Sequence, residues 1–392
     1  MADLRVHVFA IGDPYNINTW SNVPYFFLRA LQKEGVEVQG FNVIPEQWLS
    51  YRLTRFLVKQ GSRLRHRFGS LVHEPTFFRN RLISRLVHRN IRNLSTRSPE
   101  ADVNLFLTFS FSSFKYIRTP VIHYCDRTYE HFLKEIGRRP KRTDRRIFES
   151  ERVNVKHAAL VLTLNEPCRN FIRNQYRGEN VHRLKAGINI EAMEERDPQA
   201  LIATKEDSKH ILFIGRDVQK RGVDILVSAF RIFNAENGND FKLHVVGVTR
   251  DELKEWDERI ELYPYLRKDD PADRAIYDNL LASARLFVVP MRWGPLPSVI
   301  REAHWACTPV IISKVSNASE RVRHEKDGIL VDSLKPEDFA FQMSRLVKDR
   351  VRWREMALEA HRSVYHNTWD ETAREFLRII EEAGITRRRR VV

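Results

Sequence analysis

The stretch HILFIGRDVQKRGVDILVSAF, residues 210–230, decides how this chain folds. A short apolar run ends on Gly215, a basic turn leads to Gly222, and apolar residues then recur at helical spacing. A buried strand, a glycine-bounded loop and a helix in that order open a βαβ unit. Glycine at the carboxyl end of a parallel strand lets backbone approach a ligand where open α/β sheets bind them. Arg216, Lys220 and Arg221 bring positive charge to that point, which suits a diphosphate.

The same grammar extends in both directions. Downstream, FKLHVVGV, RLFVVPM, TPVIISK and GILVD alternate with helical segments such as PADRAIYDNLLASA and KPEDFAFQMSRLVKD, predicting a parallel sheet covered by helices. Upstream, LRVHVFAI and VEVQGFNVI flank a helix whose face is Val23, Phe26, Phe27, Ala30 and Leu31, and VNLFLTFS, TPVIHYC and AALVLTL read as strands buried on both faces. Between the halves, residues 193–209 turn polar and aperiodic, as a linker would. The expected fold is α/β: two doubly wound, Rossmann-like domains facing a central cleft, over 1–196 and 197–368. A helix in 369–392 packs back on the first domain, and a basic tail at 387–390 follows it.

Length and composition agree. A chain of 392 residues is too long for one ordinary core, and 42% hydrophobic with 30% charged residues describes a soluble globular protein. No apolar run approaches the ~20 residues of a membrane span, and MADLRVHVFAIG reads as a first strand rather than a signal peptide, so a cytosolic address is expected. Cys125, Cys168 and Cys307 are too scattered for a metal site or a disulfide framework. The net charge of +15 is concentrated: residues 51–100 hold twelve Arg and Lys against only Glu74 and Glu100.

Within 51–97 two amphipathic helices are expected. One carries the stripe Leu53, Phe56, Leu57 and Leu64; the other carries Phe78, Leu82 and Leu86 with Ile83, Val87, Ile91 and Leu94. Either the stripes pack on the sheet and the arginines face water, or the insert lies on anionic lipid at the inner face of a membrane.

A second motif, RWGPLPSVIREA at 292–303, follows the strand RLFVVP. Helix-start amides near Ser298 suit phosphate, and Glu302 lies about one turn inside the helix. A buried carboxylate there implies a polar ligand or a basic neighbour.

Taken in order, HILFIGRDVQKRGVDILVSAF, FKLHVVGV, RLFVVPMRWGPLPSVIREAHWACTPVIISKVSNASE and DGILVDS resemble the nucleotide-sugar-binding half of glycosyltransferase family 4, retaining enzymes of GT-B fold, from about residue 210 to 369. IGDPYNINTWSNVPYFFLRALQKEGVEV more weakly resembles the opening of the same family. The resemblance implies that Arg216, Lys220 and Arg221, with the backbone of Leu296, Pro297 and Ser298, hold the donor diphosphate, and that Glu302 holds the ribose. It implies that Leu266 and Arg267 meet the base, and that Gly294 and Pro295 stand where the transferred sugar is contacted. Gly12, Asp13, Trp20, Ser21 and His123 would line the acceptor side, and Asp126 would join Arg216 and Arg221 as the catalytic set. The chain departs from the family pattern where Gly294 replaces a glutamate, Pro295 a glycine, Arg221 a lysine and Cys307 a turn glycine.

The implied activity is retaining, metal-independent transfer from a nucleotide diphosphate sugar, UDP among the candidates. No cofactor is implied beyond that substrate, and the acceptor would be an anionic or membrane-linked glycan or lipid. Two other readings stay open. The basicity suits nucleic-acid binding or base modification, although no compact nucleic-acid motif is present; and Gly294 suits a catalytically silent partner.

Overall fold

A computed structural model describes residues 4–66, 80–98, 101–190, 197–294, 296–315 and 318–385. The chain divides into two units: Met1–Lys185 with Thr372–Val392, and Ala186–Glu371. The division falls before the expected boundary at 196, and the last helix changes unit after Glu371.

In the first unit the short apolar runs become β1 (Arg5–Ala10), β2 (Glu37–Asn42), β3 (Val103–Phe106), β4 (Val121–Cys125), β5 (Leu160–Thr163) and β6 (Val181–Arg183). They form one parallel sheet in the order β2-β1-β3-β4-β5-β6. Helices α1 (Val23–Lys33), α2 (Leu49–His66), α3 (Arg81–Arg97), α4 (Tyr129–Glu135), α5 (Arg142–Lys156) and α6 (Glu166–Phe171) connect them. The face foreseen for α1 is buried, from Val23 to Leu31. On α3, Ile83, Val87 and Ile91 recur every four residues and pack with Phe9, Phe41, Phe106 and Phe111 over the sheet.

The second unit contains α7 (Pro198–Lys205), β7 (His210–Ile214), α8 (Val218–Arg221), α9 (Val223–Glu236), β8 (Lys242–Val246), β9 (Ile260–Tyr263) and α10 (Pro271–Ser283). It continues through β10 (Leu286–Val289), α11 (Val299–Trp305), β11 (Val310–Ser313), β12 (Gly328–Val331), α12 (Pro336–Lys348) and α13 (Arg350–Val364), with α14 (Trp369–Glu382) spanning the division of the chain. Its parallel sheet runs β12-β11-β10-β7-β8-β9, and its strands are wholly buried at Ile211–Phe213, Leu286–Val289 and Val310–Ile312. In the first unit, α14 seats Phe376 edge-on to Phe27, with ring centroids 5.4 Å apart, and pairs Arg374 with Glu34 at 2.9 Å.

The expected linker at 193–209 is corrected. Residues 191–196 lie outside the described residues, but 198–205 form α7, capped by Asp197, whose side chain accepts from the amides of Gln199 and Ala200. Pro198 at the first helical position tolerates its missing N–H. Lys205 is wholly buried, and its ammonium donates to the carbonyls of Leu281 and Ala306 and to Thr308 Oγ1, saturating all three protons. In sequence such a lysine looks like a solvent residue; only the convergence of two helix ends makes it an internal clamp. The turn that follows α11 places Cys307 at φ 54, left-handed backbone of the kind a glycine adopts without cost. The basic tail at 387–390 lies outside the described residues, as do Leu64 and Phe78 as side chains. Among the described residues no helix is long and apolar enough to cross a membrane.

Candidate active site

In the second unit the strand order reverses at β7, which has β8 on one side and β10 on the other. Open parallel sheets bind ligands outside the carboxyl ends of the strands at such a point. The loops leaving β7 and β10 there are residues 215–222 and 290–298, the two motifs singled out in the sequence.

Backbone geometry joins these loops. Gly222 has φ +70, and a Cβ at that position would lie 1.8 Å from the Pro290 carbonyl oxygen, so only glycine lets the first loop close onto the end of β10. Asp217, at φ 76, accepts the Lys220 amide on Oδ1 at 3.0 Å. Arg292 then fastens loop to loop. Its guanidinium pairs bidentately with Asp224 at 2.7 and 2.6 Å and donates to the Gln219 carbonyl, while its amide donates to the Lys220 carbonyl at 2.9 Å. Burial alone would raise the Asp224 carboxyl, and the Arg292 guanidinium outweighs it and holds the group below its usual value.

Three predicted cations sit on this frame. Arg216 is exposed, with its guanidinium 4.9 Å from the centroid of the Tyr265 ring. Arg221 reaches back to Met291 Sδ at 3.7 Å. Lys220 lies over Gly294: a Cβ at position 294 would stand 2.4 Å from Lys220 Cε and 3.2 Å from Nζ. Gly294 itself has φ +103, a backbone that L side chains rarely adopt. A lysine stem thus occupies the space above the glycine.

Ser298 occupies the N-cap position of α11 without a side-chain capping hydrogen bond, the Pro297 carbonyl accepts from Arg321 at 2.8 Å, and Leu296 is buried; Pro295 lies outside the described residues. Glu302, one turn in, is 2% exposed, and its basic neighbour is Lys268. The ammonium donates to Oε2 at 2.7 Å and to the Asn189 carbonyl at 3.1 Å, and Tyr277 OH donates to the same Oε2 at 2.5 Å. Burial and the Glu302 charge push the Tyr277 phenol far above its ordinary value, so it remains a donor. Of the predicted base contacts, Leu266 is buried, while Arg267 is exposed and forks onto Asp269 at 3.1 and 2.7 Å.

In the first unit the corresponding reversal lies at β1, between β2 and β3. The loop after β1 is heavily tied. The Gly12 amide donates to Asn42 Oδ1 at 3.1 Å, and the Asp13 carbonyl accepts Thr19 Oγ1 at 2.6 Å. Trp20, Ser21 and Asn22 take φ of 36, 53 and 67, three successive non-glycine residues in left-handed backbone. Such strain costs on the order of 1–3 kcal/mol per residue and persists where surroundings over-determine it, often at functional sites. Asp126, at the carboxyl end of β4, is partly exposed; Oδ2 lies 3.4 Å from Arg127 Nε and its carbonyl accepts from Asn165. His123 is wholly buried in β4 between Phe106 and Phe109, with Nδ1 2.6 Å from the Thr108 carbonyl. Burial lowers it to about 4, so the ring is neutral and the structure assigns it to the sheet core.

Sequence reasoning missed Lys268, Tyr277, Arg292 and Tyr265. Arg292 was visible as the first residue of its motif; the others are brought in by tertiary contact across 25 or more residues of chain.

Residues 195–364 match the family described as Glycosyl transferases group 1. A D-inositol 3-phosphate glycosyltransferase of Jonesia denitrificans is 24% identical over 257 residues, covering 61% of this chain and 60% of that protein. The chain spans 50% to 60% of the length of such curated relatives. Among solved structures, sucrose-phosphate synthase of Thermosynechococcus elongatus superposes with a TM-score of 0.72 at 15% identity, covering 97% of this chain and 98% of that one. Anabaena HepE in complex with UDP-glucose gives 0.65 at 15% identity, covering 97% and 100%.

Proposed function

We propose that this chain, a GT-B fold whose residues 195–364 are a Glycosyl transferases group 1 domain, is a retaining glycosyltransferase that moves a sugar from a nucleotide diphosphate to an anionic glycan or lipid-linked acceptor. The observation that carries this reading is the pair of loops locked by Arg292 at the strand-order reversal, with Arg216, Lys220 and Arg221 on them and Glu302 behind them. UDP is the first nucleotide to test, since the Anabaena protein of the same fold is solved with UDP-glucose. An anionic acceptor accords with the net charge of +15 and with the phosphorylated inositol named for the Jonesia relative.

In this reading the bond from the sugar anomeric carbon to the diphosphate breaks, and negative charge grows on the leaving oxygen. Arg216, Lys220, Arg221 and the first turn of α11 stabilise that charge, which makes a divalent metal unnecessary. The acceptor oxygen forms its bond on the face the diphosphate leaves, and its proton passes to the leaving phosphate oxygen. Glu302 meets the ribose hydroxyls through Oε1, since Oε2 takes both Lys268 and Tyr277. Asp126 and the strained turn at Trp20–Asn22 act on the acceptor side, where a carboxylate can orient a hydroxyl.

A thermal-shift series over UDP, GDP, ADP and dTDP sugars tests the donor. A ligand at 100 times its Kd adds about 2.7 kcal/mol and raises the melting temperature by several degrees. Product anomeric configuration, read by proton NMR, tests retention, and an unchanged rate in EDTA tests the metal-free chemistry. A flat series across all four nucleotides would leave the silent-partner reading in its place.

A further inference from the structure

The two basic helices of the first unit bury opposite kinds of face. On α3 the apolar positions Ile83, Val87 and Ile91 turn onto the sheet, and Arg81, Arg85 and Arg89 turn outward. On α2 the anchor is Tyr51, 1% exposed, while Leu49, Leu53, Phe56 and Leu57 are 56% to 68% exposed. At about 100° per residue these four fall within roughly 100° of the circumference, on the side opposite Tyr51. Leu82 of α3 is 54% exposed as well. An apolar stripe on the outward side of a helix is not core, and a contiguous one marks an interaction surface.

Charge complementarity selects the occupant. Neither α2 nor α3 contains an Asp or Glu. Arg52, Arg55, Arg81, Arg85, Arg89, Arg92 and Arg97 are all exposed, with Arg89 also 5.7 Å from the centroid of the Trp48 ring. Leucines and a phenylalanine on one strip, flanked by Arg52 on the same helix, in a pair of helices rich in exposed arginine and without acid, suit an interface where acyl chains lie next to anionic headgroups. A second copy of this chain would bring the same positive charge against it. Nucleic acid would be met by stacking aromatics rather than by three leucines.

We infer that α2, supported by α3, docks this protein on an anionic phospholipid bilayer, with Leu49, Leu53, Phe56 and Leu57 entering the interface and the arginines holding headgroup phosphates. The inference stands apart from the glycosyl-transfer reading, since it is tested without donor or acceptor.

Flotation of the full chain with phosphatidylcholine vesicles, with and without phosphatidylglycerol, reads it directly. The wild type is expected to float with anionic vesicles at least tenfold more than with neutral ones, and salt reduces that ratio. Phe56→Ser/Leu57→Ser and, separately, Arg52→Glu/Arg55→Glu are each expected to lose tenfold or more of the bound fraction at an unchanged melting temperature. Failure of the wild type to float, equal flotation with both vesicle types, or retention by the Ser variant each overturns the proposal. So does a dimer in sedimentation velocity that the Ser variant abolishes, or duplex nucleic acid binding that the Glu variant alone removes.

Discussion

Lys268 and Glu302 form a buried ion pair at 2.7 Å, their side chains 10% and 2% exposed, between the loop after β9 and the helix α11. Removing one partner strands the other. Lys268→Met is expected to cost about 3–5 kcal/mol in denaturant unfolding, because a charge is left in low dielectric. Lys268→Met/Glu302→Gln should recover most of that stability and still lose nucleotide affinity. Equal stability of the single variant and the wild type would mean that solvent reaches the pair.

Gly222 meets the Pro290 carbonyl so closely that a methyl group cannot be placed between them. Gly222→Ala is expected to destabilise the second unit by about 3 kcal/mol, combining left-handed strain with overpacking. The KM for donor should rise with it, since the Arg292 clamp holds the same loop. A stable variant with wild-type KM would separate the loop from the site.

Gly294 and Lys220 predict that restoring the family's glutamate does not restore a family site. Gly294→Glu forces φ +103 onto an L residue and displaces the Lys220 stem, so a loss of about 1–3 kcal/mol and a rise in donor KM are expected. Gly294→Ala carries the strain and the Cβ contact with Lys220 but no carboxylate, so the difference between the two variants reads the carboxylate alone. Higher turnover in Gly294→Glu at unchanged stability would show that position 294 is merely vacant.

Buried neutral histidines make stability fall on the acid side. Burial holds His123 at about 4 and His304 at about 3, against 6.5 for an exposed ring. Below pH ~6.5 the unfolded chain therefore takes up protons that the folded chain refuses, and stability is lost as pH falls toward 4. At about pH 5 each ring accounts for a loss of about 2 kcal/mol relative to neutral pH. His123→Asn keeps a donor for the Thr108 carbonyl and should shrink the acid loss by that amount. An identical loss in variant and wild type would assign the acid sensitivity to other groups.

The fold was legible because it rests on local pattern. Short continuous apolar runs such as RLFVVP, rich in β-branched residues and bounded by turns, read as strands buried on both faces, and the turns after them set where loops lie at the carboxyl edge. Residues 210–230 and 292–303 thus pointed to loops at the carboxyl ends of two parallel strands, and the strand order β10-β7-β8 makes them neighbours at the reversal. Less local features escaped. The run at 198–205 is a helix capped by Asp197, and its Lys205 is buried because three acceptors from distant parts of the chain converge on it. β6 and β9 are too short and too mixed to stand out, and pairing with β5 and β8 makes them strands.

The sequence by itself determined two parallel α/β units, cations and helix-start backbone on loops at the carboxyl ends of strands, and a basic helical insert; that those loops meet at the strand-order reversal came from the tertiary structure. Tertiary structure alone decided that Lys268 pairs with Glu302 while Tyr277 donates to it, that Lys220 fills the space above Gly294, and that α2 shows Leu49, Leu53 and Leu57 outward while α3 buries its isoleucines. The division is physical: backbone periodicity and turn chemistry act over a few residues, whereas the partner of a buried charge and the face a helix buries depend on surfaces supplied from distant parts of the chain.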